Sequence, residues 1–281
     1  MALSKKHLSM AALALLCAAV FPSCKGDGKK DQPTPPPAEE KSLIASVTVK
    51  GASELKNFPT REYFYTYQYS YDKSGRVTSV ALRGDDNDDW SFTYGDRTMT
   101  IADDSENIDE RIEFQTDANG YIVRDKTGNY SASHDAEGHL LQLLWEGDNH
   151  TFKWEGDLLT EVLCSEPDRN SSKTIFVYSK TKDPTGGLLT HDYLGLYDPI
   201  LPSMWLGKAP ACLPSKVITY YYTQDGKHYL ESTGTIDYNL DTKDRPVKVT
   251  ETSYEYEYDQ YKGKNPLPVG KVVSTIEINY K

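Results

Sequence analysis

The chain has 281 residues, with 31 Lys and Arg against 42 Asp and Glu, a net charge of −11 and 38% apolar residues. A chain this polar and acidic is not a bundle of membrane-spanning helices, and it lacks the basic excess that phosphate binding needs, so no nucleic-acid partner is expected. Setting aside the N-terminal segments described next, about 240 residues remain, enough for one large domain in which a sheet keeps one face in water.

Residues 1–7 carry Lys5 and Lys6 and no acid, and residues 8–21 are apolar apart from Ser9, the layout of a secretory signal over 1–23. The run ends in Phe21-Pro22-Ser23-Cys24, which resembles a bacterial lipobox, with Phe21 where Leu is usual. That resemblance implies lipidation of Cys24 and a membrane held through the lipid as the first partner. Residues 24–41 hold no apolar side chain larger than Ala beyond Cys24 itself, and they include Pro33, Pro35, Pro36 and Pro37. This is a tether, reaching roughly 50 Å when extended. Two cysteines, Cys164 and Cys212, remain in the domain at 42–281; export permits a disulfide between them, but separate burial as small side chains is the expectation.

The domain reads as hairpins. Residues 63–71 alternate aromatic with polar side chains, Asp72-Lys73-Ser74-Gly75 turns the chain, and 76–82 return. The pattern repeats as 90–94 into 98–101, 111–114 into 121–123, 130–133 into 140–145, and 151–154 into 158–163, then as 216–223 into 228–238, with 247–258 and 271–280 following. The expected fold is all-β, an antiparallel up-and-down meander of hairpin repeats forming a strongly twisted sheet or open barrel. Its tight turns should share one end. The longer connections 84–89, 103–109, 125–128, 146–149 and 164–172 should share the other, where recognition is expected.

An insert at 181–214 breaks the repeat. Its apolar residues recur at helical spacing, while Gly195, Pro199 and Pro202 forbid one long helix. Two short helical turns are expected, plugging the apolar face of the sheet with Trp205 and Leu206. A docking surface for a partner protein is the alternative.

Tyr71-Asp72-Lys73-Ser74-Gly75-Arg76-Val77 resembles the core of the tyrosine-aspartate (YD/Rhs) repeats of bacterial surface proteins. With lipobox, tether, hairpins and the tail segments 213–217 and 244–250, the layout is similar to an uncharacterised family of Bacteroidota surface lipoproteins. The resemblance implies an outer-membrane location, at the cell surface or on the periplasmic side. It supplies no catalytic residues.

Three constellations bear on chemistry. Asp85, Asp86, Asp88 and Asp89 crowd one loop, and the meander brings Asp103 and Asp104 to the same end; such oxygens suit Ca²⁺, but Trp90 stands where a calcium loop needs Gly, so a solvated ligand-binding loop is expected and no metal or other cofactor. His134 and His139 bracket a turn without a third ligand at metal spacing and are expected to be solvated or partly packed. Tyr63, Tyr65 and Tyr67 continue to Tyr69 and Tyr71 on one strand face, and Tyr254, Tyr256 and Tyr258 repeat this with Glu255 and Glu257 opposite; cross-strand packing is the first explanation, a platform for sugar or peptide the second. No G-x-S-x-G, H-E-x-x-H or Walker-type glycine loop occurs. The reading is a non-enzymatic surface domain for binding a glycan or serving a surface complex. The alternatives are a surface glycan hydrolase using loop carboxylates and a structural envelope protein without a specific ligand.

Overall fold

A computed structural model describes residues 42–56, 58–104, 110–145, 147–165, 171–185, 205–224, 227–256 and 268–281. The signal, Cys24, the tether, Tyr258 and most of the insert lie outside them. The strands are β1 (Ile44–Leu55), β2 (Arg61–Tyr71), β3 (Val77–Gly84), β4 (Asp88–Tyr94), β5 (Thr98–Asp103), β6 (Glu110–Thr116), β7 (Ile122–Asp125) and β8 (Tyr130–His134). They continue as β9 (Leu140–Trp145), β10 (Asp148–Glu155), β11 (Leu158–Ser165), β12 (Ser171–Lys182), β13 (Cys212–Tyr222), β14 (His228–Leu240), β15 (Pro246–Tyr256) and β16 (Pro268–Tyr280). Each pairs antiparallel with its sequence neighbour, and β1 pairs with β16, so the meander closes into a barrel of sixteen strands. Closure removes both sheet edges.

The sequence reading left two strands unnamed. β1 completes the barrel, its Val47 and Val49 facing Ile278 and Ile276 of β16. In β12, Thr174 to Tyr178 lacks the clean alternation that marked the other strands.

Alternation explains closure with an apolar inside. Val80, Trp90, Phe92, Ile101, Phe114 and Leu143 share one buried cluster with Val49, Val217, Ile236, Val249 and Ile276 from the far wall. The outward positions between them are mostly polar, with Leu141, Leu163 and Val177 among the exposed apolar exceptions, and ion pairs decorate that outer wall: Lys50 with Glu277 at 3.4 Å, Arg83 with Asp89 at 2.7 Å, and Lys173 with Glu161 at 2.6 Å.

A repeated latch aligns one end. In the Asp72 turn, Asp72 Oδ1 accepts the backbone N–H of Ser74 and Arg76, Gly75 takes φ 77°, and the Arg76 guanidinium returns to Asp72 Oδ2 at 2.7 Å. The turns at Asp117, Asp135 and Asp241 repeat the backbone contacts, with Asp244 at φ 57° in the glycine's place. The residue closing the turn then lies against an aromatic ring: Arg76 on Tyr94 at 4.3 Å, His139 on Trp154 at 4.5 Å, Arg245 on Tyr280 at 4.2 Å. Those rings donate to the backbone carbonyl just beyond the turn, Tyr94 to Val77, Trp154 to Leu140 and Tyr280 to Pro246, all at 2.7–2.8 Å. At the seam the last residue substitutes for a turn: Lys281 Nζ lies 4.6 Å from the Tyr71 ring, whose hydroxyl is hydrogen-bonded to the Ile44 backbone.

The insert returns to this same end. Trp205 and Leu206 are 7% and 1% exposed, as expected of a plug. The Trp205 ring lies 4.6 Å from Phe92, Leu206 O meets His134 Nε2 at 2.5 Å, and Lys208 N donates to Gly138 O at 2.7 Å. Around Trp205 the described part is a single short turn.

Candidate functional site

The interior polarity changes along the barrel. Strands β3 to β11 run four to eight residues, whereas β12 to β16, β1 and β2 run eleven to thirteen. Because the latches align the tight-turn end, the extra length extends toward the long connections. There the apolar lining thins. Following the inward parity of Val249 along β15 leads to Glu251, Ser253 and Glu255; from Ile276 along β16 it leads to Ser274, Val272 and Gly270; from Phe176 along β12 it leads to Thr174.

The C-terminal tyrosines and glutamates take opposite faces of β15, as their alternation indicated: Tyr254 and Tyr256 stand on the outer wall, with Tyr254 37% exposed, while Glu255 points inward. The Glu255 Oε1 is buried with no hydrogen-bond partner, and burial pushes its carboxyl above the usual carboxylate range. Opposite Glu255 lie Ser232, which is buried, and Gly270.

The β2 tyrosines do face inward. Tyr63 and Tyr65 stack at 6.1 Å between centroids, and Tyr65 meets Tyr67 edge-on at 5.5 Å. Tyr63 lies flat over Gly51 of β1 and reaches Ser274 of β16, hydroxyl to hydroxyl at 2.7 Å. A Cβ at Gly51 would strike the Tyr63 ring, so the glycine is what lets this ring line the wall. All three tyrosines keep some solvent contact although they face the interior, so the mouth admits water.

The acidic constellation is divided by strand parity. Asp88 faces inward beside Trp90, and Asp103 lies directly across from Trp90 on the same face. Burial, followed by the charges of Asp103, Asp86 and Asp89, raises the Asp88 carboxyl pKa. Asp89 points outward to Arg83, and Asp85 accepts the Phe64 N–H at 2.8 Å, tying the loop to β2. Asp86 and Asp104 are exposed, and Asp104 N donates to Asp89 O at 2.7 Å. The six carboxylates therefore do not form one cluster. Two of them join the tyrosine wall, with Leu82 of β3 between Tyr67 and Asp88.

At the opposite end His139 is more enclosed than the sequence suggested, 2% exposed, with Nδ1 2.9 Å from Asp135 and Nε2 3.2 Å from Asp157. Among the described residues, the group close enough to hold a metal ion is Glu137, His139 and Asp157. Lys208 Nζ already lies 2.6 Å from Asp157 Oδ1, so an ammonium neutralises that oxygen. The Lys208 contact is the first cause of the lowered Asp157 pKa. The arrangement fastens the insert to the barrel. Cys164 and Cys212 are not joined in a disulfide.

Sequence reasoning missed Glu251 and Gly51, and it named Glu255 and Trp90 without placing them in the mouth. The signal was present in β15: the face that carries Val249 leads to the glutamates, and the tyrosines belong to the other face.

No protein-family profile and no curated protein matches the chain. Among solved structures, it is similar to a porin-like protein from Bacteroides uniformis ATCC 8492, at 13% identity over 86% of this chain and 99% of that one, with a TM-score of 0.57. A porin-like protein from Bacteroides vulgatus ATCC 8482 aligns over 85% of this chain and 99% of that one at 14% identity and a TM-score of 0.37. A LolA superfamily protein, NE2245 from Nitrosomonas europaea, aligns over 85% of this chain and 84% of that one at 12% identity and a TM-score of 0.25. The first likeness concerns the fold.

Proposed function

We propose that this protein is a lipid-anchored envelope barrel that holds a ligand in its polar-walled mouth without converting it. The observation that carries the reading is strand β15, which turns Glu251 and Glu255 inward and leaves Tyr254 in solvent. Burying a carboxyl without a partner costs stability. Departures of this kind from ordinary patterning concentrate where a protein binds something.

The outer wall supports an anchored barrel over a membrane-spanning one. A barrel in lipid needs an apolar outer band, and here charged pairs such as Lys50–Glu277 and Lys173–Glu161 occupy it. Attachment then falls to lipid on Cys24. Ser42 N donates to Pro184 O and Lys281 N to Leu43 O, so the start of β1 is fastened at the tight-turn end, opposite the mouth.

Native mass spectrometry of the full-length protein, extracted from its own membranes in mild detergent, tests the reading. A bound small-molecule mass in wild type that is lost in Tyr65→Ala is expected, together with release of Cys24→Ala into the soluble fraction. Wild type free of any adduct would overturn the ligand-holding role, and turnover of the adduct by the purified protein would replace it with an enzymatic one.

A further inference from the structure

The inward face of β11 ends on a nucleophile. Val162 belongs to the buried core, and the next inward position toward the mouth is Cys164, which keeps some solvent contact; Leu163 between them is exposed on the outer wall. Directly across on β10 stands His150, 8% exposed, with Nε2 3.8 Å from Cys164 Sγ. That separation is within reach of a hydrogen bond from the thiol to the imidazole. Strand register puts Asp148 of β10, Leu143 of β9, Ser172 of β12 and Tyr221 of β13 on the same face, so Asp148 and Tyr221 are the titratable neighbours among the described residues of these strands. Cys212, also partly exposed, opens β13 across from Lys182 and near Tyr178. The chain thus carries two cysteines of similar exposure, one of them aimed at a buried histidine.

We infer that Cys164, with His150 as its base, is a reactive thiol that takes up a low-molecular-weight disulfide as a mixed disulfide. A thiolate is the attacking species in such exchange, and an adjacent imidazole supplies it by accepting the thiol proton. His150 Nε2 takes the proton from Cys164 Sγ, and the sulfur attacks one sulfur of the small disulfide. A new S–S bond forms to Cys164 as the old one breaks, and the other half leaves as a thiolate that collects the proton from His150. Cys164 is oxidised, the departing half is reduced, and no further oxidant is needed. The sulfur faces the barrel interior and not the outer wall, which favours a small disulfide over a cysteine on another protein. The inference goes beyond the ligand-holding role and does not depend on it, since it stands on the contact between Cys164 and His150.

The rate of mixed-disulfide formation with 2-hydroxyethyl disulfide, a neutral probe, tests this on the full-length protein, reduced and desalted beforehand. Peptide masses report Cys164 and Cys212 separately at each pH from 6 to 8.5. Cys164 should react about fivefold faster than Cys212 at pH 6, where an ordinary thiol, titrating at about 8.5, is less than about 1% thiolate. That lead should shrink as pH rises and the thiolate of Cys212 forms unaided. His150→Gln should remove the lead at pH 6 while leaving the rates at pH 8.5 close to wild type. A ratio of the two rates that stays constant with pH means that exposure alone sets it, and overturns the inference without recourse to a variant, as does a Cys164 that does not react. A His150→Gln chain that folds and keeps the pH-dependent lead overturns the role of the imidazole. An adduct-free native mass spectrum would end the ligand-holding role and leave these rates untouched.

Discussion

The short-stranded arc, β3 to β11, and the long-stranded arc, β12 through β16 to β1 and β2, use the same alternation for different ends. In the short arc the inward positions are filled by Trp90, Phe92, Met99, Ile101, Phe114 and Leu143, each at most 4% exposed. The long arc supplies Val49, Phe176, Val217, Ile236, Val249 and Ile276, each at most 9% exposed, and then continues mostly as Ser, Thr, Glu and Tyr, with Val272 among them. At about 3.3 Å per residue the additional wall is roughly 15–20 Å high. Strand length beyond what the core needs marks where the barrel stops being a packing problem and becomes a site.

The largest expected effect lies where the insert meets the short arc. Trp205 fills the space beside Phe92 and Tyr94, and its indole is hydrogen-bonded to the Tyr94 hydroxyl. Trp205→Ala should cost about 3–5 kcal/mol, the usual range for deleting a buried large aromatic. A urea melt overlaying wild type would show that the short arc is closed without the plug, and the contrast between the arcs would lose one of its terms.

Gly51 is the corresponding position in the long arc. Adding a methyl there displaces Tyr63 from its place over β1, so Gly51→Ala should cost about 1–3 kcal/mol, as overpacking does. With Tyr63→Ala in the same chain the clash disappears, and the double variant should be more stable than the sum of the singles implies. Strict additivity in denaturant melts would mean that the ring and the glycine are not coupled.

These two sites also show what was legible in the sequence. The Asp-x-x-Gly turns at 72–75, 117–120 and 135–138 were readable because Asp and Gly each have a local role there: the carboxylate accepts nearby N–H groups and the glycine takes positive φ. Burial of Trp205 and Leu206 was readable because no other segment could cover so much apolar surface. Closure was not, since it depends on β1 meeting β16, a pairing between the two ends of the domain. The mouth was legible only in part. Tyr63, Tyr65 and Tyr67 stood out by composition, but Asp88 and Asp103 could be separated from Asp85, Asp86, Asp89 and Asp104 only once strand parity and register were known. For β15, the alternation separated tyrosines from glutamates, but which face is inward is decided by continuity with Val249.

Acid should weaken the latches. The Asp241 carboxyl is lowered to about 2, chiefly by the Arg245 side chain and then by the Arg245 backbone N–H. A group depressed in the fold contributes stability that is present above its unfolded value of about 3.9 and is lost as pH falls through the folded value. Asp241→Asn should therefore melt below wild type at neutral pH, and the two melting temperatures should converge as pH falls from about 4 toward 2. A gap that persists at the acid end would assign the loss to turn geometry and not to the ion pair with Arg245.

The smallest effect separates the arcs by its sign. Asp125 of the short arc is also buried, and burial alone would raise its pKa. Its oxygens instead accept from the Thr127 hydroxyl and from the N–H groups of Gly128, at 2.9 Å, and Tyr130, at 3.2 Å, and these bonds hold the carboxyl below the usual range. Glu255 of the long arc has no such set, and burial raises it. Ionising Glu255 at neutral pH therefore works against the fold, so Glu255→Gln should raise the melting temperature slightly. That gain should vanish below about pH 4, where the carboxyl is protonated in folded and unfolded chains alike. Asp125→Asn should lower the melting temperature at neutral pH, because an amide nitrogen cannot accept the hydrogen bonds that a carboxylate oxygen does. Parallel melts of the two variants across pH read the difference directly: opposite signs mean that the short arc uses its buried carboxylate for structure while the long arc keeps one available to a ligand, and equal signs would erase that distinction.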